Sequence, residues 1–124
     1  MKNKRILIVD DEPDLTGALK KEFLHLGFDV TETNLGSSAA EIAAAWLPDL
    51  ILLDIQMDDM PGDEVAAKIR SNPRTKDTKI VFITGLAIKA EQSPRDNKTG
   101  KDYMIAKPVG FVELHDFLKT NSLL

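Results

Sequence analysis

Apolar residues fall along this chain in two kinds of pattern. Some form short unbroken runs: Ile6-Leu7-Ile8-Val9, Ile51-Leu52-Leu53 and Ile80-Val81-Phe82-Ile83. Runs of this length without polar alternation read as strands covered on both faces, as inside a parallel sheet. Phe28 to Thr33 alternates apolar with polar residues, the pattern of a strand with one exposed face, and Asp102 to Ala106 is a short fifth strand. Other apolar residues recur at helical spacing. Leu15, Ala18, Leu19, Phe23 and Leu26 mark a helix that Pro13 starts and Gly27 closes. Ser37 to Leu47 is an alanine-rich helix stopped by Pro48, with Trp46 packing near its end. Gly62 to Ser71 is a shorter helix ended by Asn72-Pro73, and Phe111, Leu114, Phe117 and Leu118 mark a closing one. Ala87 to Gly100 is the least regular part, because Pro94 and Arg95-Asp96-Asn97-Lys98 break any helix begun there.

Five strands alternating with helices predict an α/β domain whose parallel sheet is wrapped on both faces through right-handed crossovers. A length of 124 residues suits a single domain over 1–124. It also suits a flavodoxin-like, doubly wound sheet of order 2-1-3-4-5 with an irregular fourth helix, although the pattern alone does not fix that order. At 43% hydrophobic the chain can bury a real core. A net charge of −4 and a pI near 5.1 argue against direct binding of nucleic acid or an anionic membrane. The absence of cysteine excludes disulfides and thiolate metal sites. Behind the basic start, Ile6 to Val9 is too short for a secretory signal or a membrane helix. The expectation is a soluble, cytoplasmic domain.

The chemistry gathers where strands end. Asp10 and Asp11 follow the first expected strand, Asp54 the third, Thr84 ends the fourth and Lys107 follows the fifth. In doubly wound sheets ligands sit outside the carboxyl ends of the strands, where the order reverses. In the order 2-1-3-4-5 the first and third strands are neighbours there, so three carboxylates converge beside a hydroxyl and an ammonium. Converging carboxylates repel and require a proton or a cation; a hard ion with oxygen ligands, Mg²⁺ foremost, answers this. Asp54 could then act as nucleophile toward a phosphoryl group and form an acyl phosphate. Lys107 and the metal would neutralise the transferring oxygens, and Thr84 would hydrogen-bond one of them. Singly, each residue has an ordinary explanation: Asp10 or Asp11 as a helix N-cap, Asp54 as a turn residue, Lys107 as a solvated lysine. Their coincidence at four strand ends shifts the weight.

Ile8-Val9-Asp10-Asp11-Glu12, Leu52-Leu53-Asp54-Ile55-Gln56-Met57, Ile83-Thr84-Gly85 and Lys107-Pro108 resemble the motifs of the response-regulator receiver domain of two-component signalling. The resemblance runs from about Lys4 to Leu118. It implies that Asp54 is the phosphoacceptor, that Asp11 holds Mg²⁺ directly and Asp10 through water, and that the Gln56 backbone carbonyl is a further ligand. It makes Thr84 the switch hydroxyl and Lys107 the phosphoryl partner, with a cis bond before Pro108. It further implies a sensor histidine kinase or phosphotransfer protein as donor, with acetyl phosphate able to substitute, and a phosphoprotein rather than an enzyme with a separate substrate. The effector is not encoded in these motifs, and a homodimer is compatible with them. With no output domain after residue 124, the chain is expected to be a stand-alone receiver or one cut from a longer regulator or hybrid kinase.

The chain departs from the family in three places. Met104 stands where receivers commonly carry a rotating aromatic residue, and Tyr103 lies one position earlier, on the opposite strand face. Met57-Asp58-Asp59-Met60-Pro61-Gly62 replaces the usual Met-Pro-x-Met-Asp-Gly; Asp58 and Asp59 read as solvated loop acids, with tuning of metal or phosphate affinity second. Ala87 to Gly100 suggests a remodelled signalling face. His25 and His115 read as surface or core-edge residues rather than metal ligands. A flavodoxin-like electron carrier is disfavoured by acids where phosphate would be cradled, and an Asp-nucleophile phosphatase by the lack of Asp-x-Asp. The remaining rival is a receiver-like interaction module that works without phosphorylation.

Overall fold

The computed structural model describes residues 3–84, 102–106 and 110–124. In chain order these form β1 (Arg5–Val9), α1 (Pro13–His25), β2 (Asp29–Thr33), α2 (Gly36–Trp46), β3 (Leu50–Leu53), α3 (Gly62–Arg70), β4 (Lys79–Thr84), β5 (Asp102–Ala106) and α4 (Phe111–Thr120). The five strands make one parallel sheet in the order β2-β1-β3-β4-β5. The expected α/β class and strand order are therefore both found. The irregular stretch from Ala87 to Gly100 lies outside the described residues.

Because β1 and β3 are apolar on both faces, each feeds two cores. Ile6, Ile8, Leu50 and Leu52 face Leu19, Phe23, Leu114 and Leu118 of α1 and α4. Leu7, Val9, Ile51 and Leu53 face Ala39, Ala43, Val65 and Ile69 of α2 and α3. Each fully buried Leu, Ile, Val or Phe side chain here contributes roughly 1.5–3 kcal/mol. Edge-to-face rings brace the first core, with Phe23 5.8 Å from Phe28 and 5.0 Å from Phe111.

The ends of elements follow local chemistry. Pro13 opens α1, and Gly27 takes the left-handed conformation (φ 98°) just beyond its end. Leu47 is not the last helical residue of α2 but its left-handed cap (φ 56°), with Pro48 next. The Gly110 N–H donates to Glu113 Oε1 at 2.8 Å, the back half of a capping box whose front half glycine cannot supply. Strand β2 departs from the one-sided pattern its sequence suggests. Val30 to Thr33 are all half-buried, because α1 and α2 both close over this edge strand.

The start of β3 is pegged to β1. Asp49 N–H donates to the Arg5 carbonyl at 2.8 Å, and Asp49 Oδ2 accepts from the Arg5 N–H at 2.9 Å. The Arg5 guanidinium lies 5.6 Å from the Trp46 ring centroid and donates to the Trp46 carbonyl, so Trp46 packs at its helix end as expected.

Candidate metal and phosphoacceptor site

The sheet ladder continues one residue past β1 and β3. Asp10 N–H donates to the Thr33 carbonyl at 3.2 Å and Asp54 N–H to the Val9 carbonyl at 2.9 Å. Since Val9 and Leu53 are in register, Asp10 and Asp54 leave the sheet side by side at its carboxyl edge. Each then turns the chain outward with its own side chain: Asp10 Oδ1 accepts from the Glu12 N–H at 3.0 Å, and Asp54 Oδ1 from the Gln56 N–H at 3.1 Å. Glu12, not Asp10 or Asp11, is the N-cap residue of α1, and no side chain caps that helix.

Asp10, Asp11 and Asp54 converge, with one carboxylate oxygen from each lying within 4.8 Å of the others. Asp10 and Asp54 are each only 4% exposed, and Asp11 is half-buried. At an effective dielectric of ~20, each pair at that separation repels by roughly 3–4 kcal/mol. The cluster therefore calls for positive charge, and its donors are all hard oxygens. That donor set fits Mg²⁺, which is held by carboxylates and phosphate oxygens, and does not fit a soft metal.

The other expected site residues divide. Gln56 is exposed at the head of the β3–α3 loop. Thr84 is the last residue of β4, in register with Ala106 of β5, and so lies on the same sheet edge. Lys107 and the bond before Pro108 lie outside the described residues. Met104 is half-buried opposite Phe82, while Tyr103 packs edge-to-face on Phe117 at 6.2 Å in the α1/α4 core. The two do occupy opposite faces of β5. His25 is exposed, and His115 is half-buried against the Phe111 ring at 5.7 Å; neither joins a metal-holding cluster among the described residues.

Four supporting residues act through contacts the sequence does not show; Asn34 and Thr16 carry no signal there, while Gly62 and Asp59 stand in it only as motif and loop residues. Asn34 Nδ2 donates to the Asp10 carbonyl at 2.7 Å and to Thr16 Oγ1 at 3.2 Å, and Thr16, fully buried, donates to the Pro13 carbonyl at 3.1 Å. This ties the loop carrying Asp10 and Asp11 to β2 and α1. Gly62 N–H closes the β3–α3 loop on the Ile55 carbonyl at 2.7 Å. A Cβ at Gly62 would stand 2.6 Å from Ile55 Cα and closer still to the Asp54 carbonyl oxygen, so only glycine fits behind Asp54. Asp59 is not a free loop acid: its two carboxylate oxygens accept from the Gly36 and Ser37 N–H groups, each at 2.9 Å. Those amides, Ser37 first, hold its carboxyl below the usual carboxylate value of 3.8.

A family model described as the response regulator receiver domain matches residues 6–119 of the 124. The chain belongs to that family. The receiver is 32% identical over 119 residues to response regulator PleD from Caulobacter vibrioides, covering 96% of this chain but 26% of PleD. It is 26% identical over 118 residues to the polar-differentiation response regulator DivK from Brucella ovis, covering 94% of each. The chain spans 26% to 45% of the length of several curated relatives it matches, PleD among them. Among solved structures, response regulator protein TrrA from Thermotoga maritima, in complex with Mg²⁺-BeF, superposes with a TM-score of 0.75 at 32% identity, covering 98% of this receiver and 99% of TrrA. This is thus a receiver domain of two-component signalling. No helix among the described residues is long and apolar enough to cross a membrane.

Proposed function

We propose that this receiver accepts a phosphoryl group on Asp54 and passes the change to a protein partner. The observation that carries the reading is the meeting of Asp10, Asp11 and Asp54 at the switch point of the sheet. An Asp54 carboxylate oxygen attacks phosphorus of a phosphohistidine on a sensor kinase or phosphotransfer protein. The O–P bond forms as the N–P bond breaks, and the imidazole leaves with a proton from solvent. Water attack at phosphorus later returns the carboxylate and inorganic phosphate. Asp10, Asp11, Asp54 and the Gln56 backbone carbonyl are the residues that would hold Mg²⁺. When bound, it supplies positive charge to the transferring oxygens. Thr84 is assigned as hydrogen-bond donor to the arriving phosphoryl group and Lys107 as its ammonium partner, both from their motif positions. Setting is part of the proposal too: a cytoplasmic domain, with the effector and any homodimer to be found.

Incubation with acetyl phosphate and Mg²⁺, followed by intact mass measurement, tests this. One added phosphoryl group on the wild type, absent in Asp54→Asn, is expected. An adduct that persists in Asp54→Asn, or none on the wild type even with its kinase, overturns the proposal; the latter result would favour a phosphorylation-independent interaction module.

A further inference from the structure

Helix α2 starts without a cap of its own. Leu35 occupies its N-cap position and its side chain offers no acceptor, yet the first amides of the helix need one. The acceptor comes from 23 residues further along the chain, where Asp59 spends both carboxylate oxygens on Gly36 and Ser37. The fit is close. A Cβ at Gly36 would stand 3.1 Å from the Met60 carbonyl oxygen and 3.3 Å from Asp59 Oδ1, so α2 begins directly against the β3–α3 loop.

That loop is the one that runs from Asp54 through Gln56. Its first half is anchored by Met57, only 7% exposed in the α2/α3 core, and its end by the Gly62 bond to Ile55. Asp59 is the polar anchor between them. On the other side, Asn34 lies two residues before Gly36 and grips the Asp10 carbonyl. The path Asp10–Asn34–Gly36–Asp59 therefore bridges the two loops that bear the clustered carboxylates, without passing through the carboxylates themselves.

We propose that Asp59, working with Asn34, is a positioning residue for Mg²⁺: it fixes the β3–α3 loop relative to the β1–α1 loop so that their oxygen ligands meet the ion together. This rests on the proposed function above. Residues that orient metal ligands commonly change affinity by ~10–100-fold when removed, and Asp59 acts one step further out, so a change of about 3- to 10-fold is expected. A residue that only capped α2 would lower stability and leave the metal untouched.

The test is calorimetric titration of the folded protein with MgCl₂, together with the Mg²⁺ dependence of acetyl phosphate labelling. Asp59→Ala is expected to raise both the Mg²⁺ dissociation constant and the half-saturating Mg²⁺ by about 3- to 10-fold. Its labelling rate at saturating Mg²⁺ should stay within about twofold of wild type. Asp59→Asn, which keeps one acceptor oxygen, should recover part of the loss and remains a test if the alanine variant does not fold. Unchanged Mg²⁺ binding in a folded variant, or a labelling defect that saturating Mg²⁺ does not repair, overturns the inference. Calorimetry separates it from the reading it rests on. A wild type that binds Mg²⁺ but is never labelled refutes the phosphoacceptor alone, and one that is labelled while Asp59→Ala binds Mg²⁺ normally refutes the positioning role alone. A wild type that binds no Mg²⁺ refutes both.

Discussion

Replacing Gly62 by alanine should disturb the site more than any comparably small change elsewhere. The added Cβ would face Ile55 Cα at 2.6 Å and the Asp54 carbonyl carbon at 3.0 Å. Carbon atoms rest at ~3.5–4.0 Å, so the start of α3 or the end of β3 must yield by about 1 Å. Neither neighbour is a side chain that can rotate away. Forced overpacking of this kind costs ~1–3 kcal/mol, and weakening the 2.7 Å bond from Gly62 to Ile55 adds about 1 kcal/mol. The expected loss is ~2–4 kcal/mol. With a urea slope of ~1–3 kcal/mol per molar, the unfolding midpoint should fall by about 1–2 M at unchanged slope. Gly17 supplies the internal control. It lies exposed within α1, and a Cβ there meets nothing within 4 Å. Gly17→Ala should therefore stabilise by ~0.5–1 kcal/mol through helix propensity. Urea titrations followed by far-UV circular dichroism read both. If Gly62→Ala lies within about 0.5 kcal/mol of wild type, the close approach of α3 to the Asp54 backbone is not real.

The charges lead to three further outcomes. In chelator, Asp11→Asn should raise stability by about 1 kcal/mol, because it removes repulsion from a half-buried cluster, discounted for solvent. Mg²⁺ at 100 times its dissociation constant should stabilise the wild type by ~2.7 kcal/mol and this variant far less; equal responses in thermal melts would remove Asp11 from the metal site. Asp59 has its carboxyl held low in the folded state, so its contribution is complete above 3.8 and disappears as pH falls through the lower folded value. The stability gap between wild type and Asp59→Asn should thus narrow on going from pH 6 to pH 3; a constant gap would deny the carboxylate its role at the start of α2.

The central strands were legible because burial on both faces leaves a short run of aliphatics, whereas a buried helix would run longer. The carboxylate cluster was legible for a related reason: strand ends are marked by the first polar residue, and sheet topology brings those ends together. What escaped depends on contacts between segments that are distant in sequence. Asp59 looks like any loop acid until Gly36 and Ser37 arrive beside it. The available signal was negative: Leu35 cannot cap, so some acceptor had to come from elsewhere. Asn34 was hidden in the same way, as its partner is the backbone carbonyl of Asp10, which no residue pattern encodes. Leu47 misled by continuing the apolar periodicity of α2 into its left-handed cap.

The uniformity of β3 has a consequence of its own. Leu50 to Leu53 are all apolar and all buried, so sliding the strand by one position would exchange its two faces with little change in the oil on either side. Only the ends object. A shift in one direction draws Asp49 away from Arg5 and into the sheet, and a shift in the other draws in Asp54. Asp54 is thus also a gauge of assembly, and an apolar replacement there would loosen the strand's alignment while asparagine would keep it.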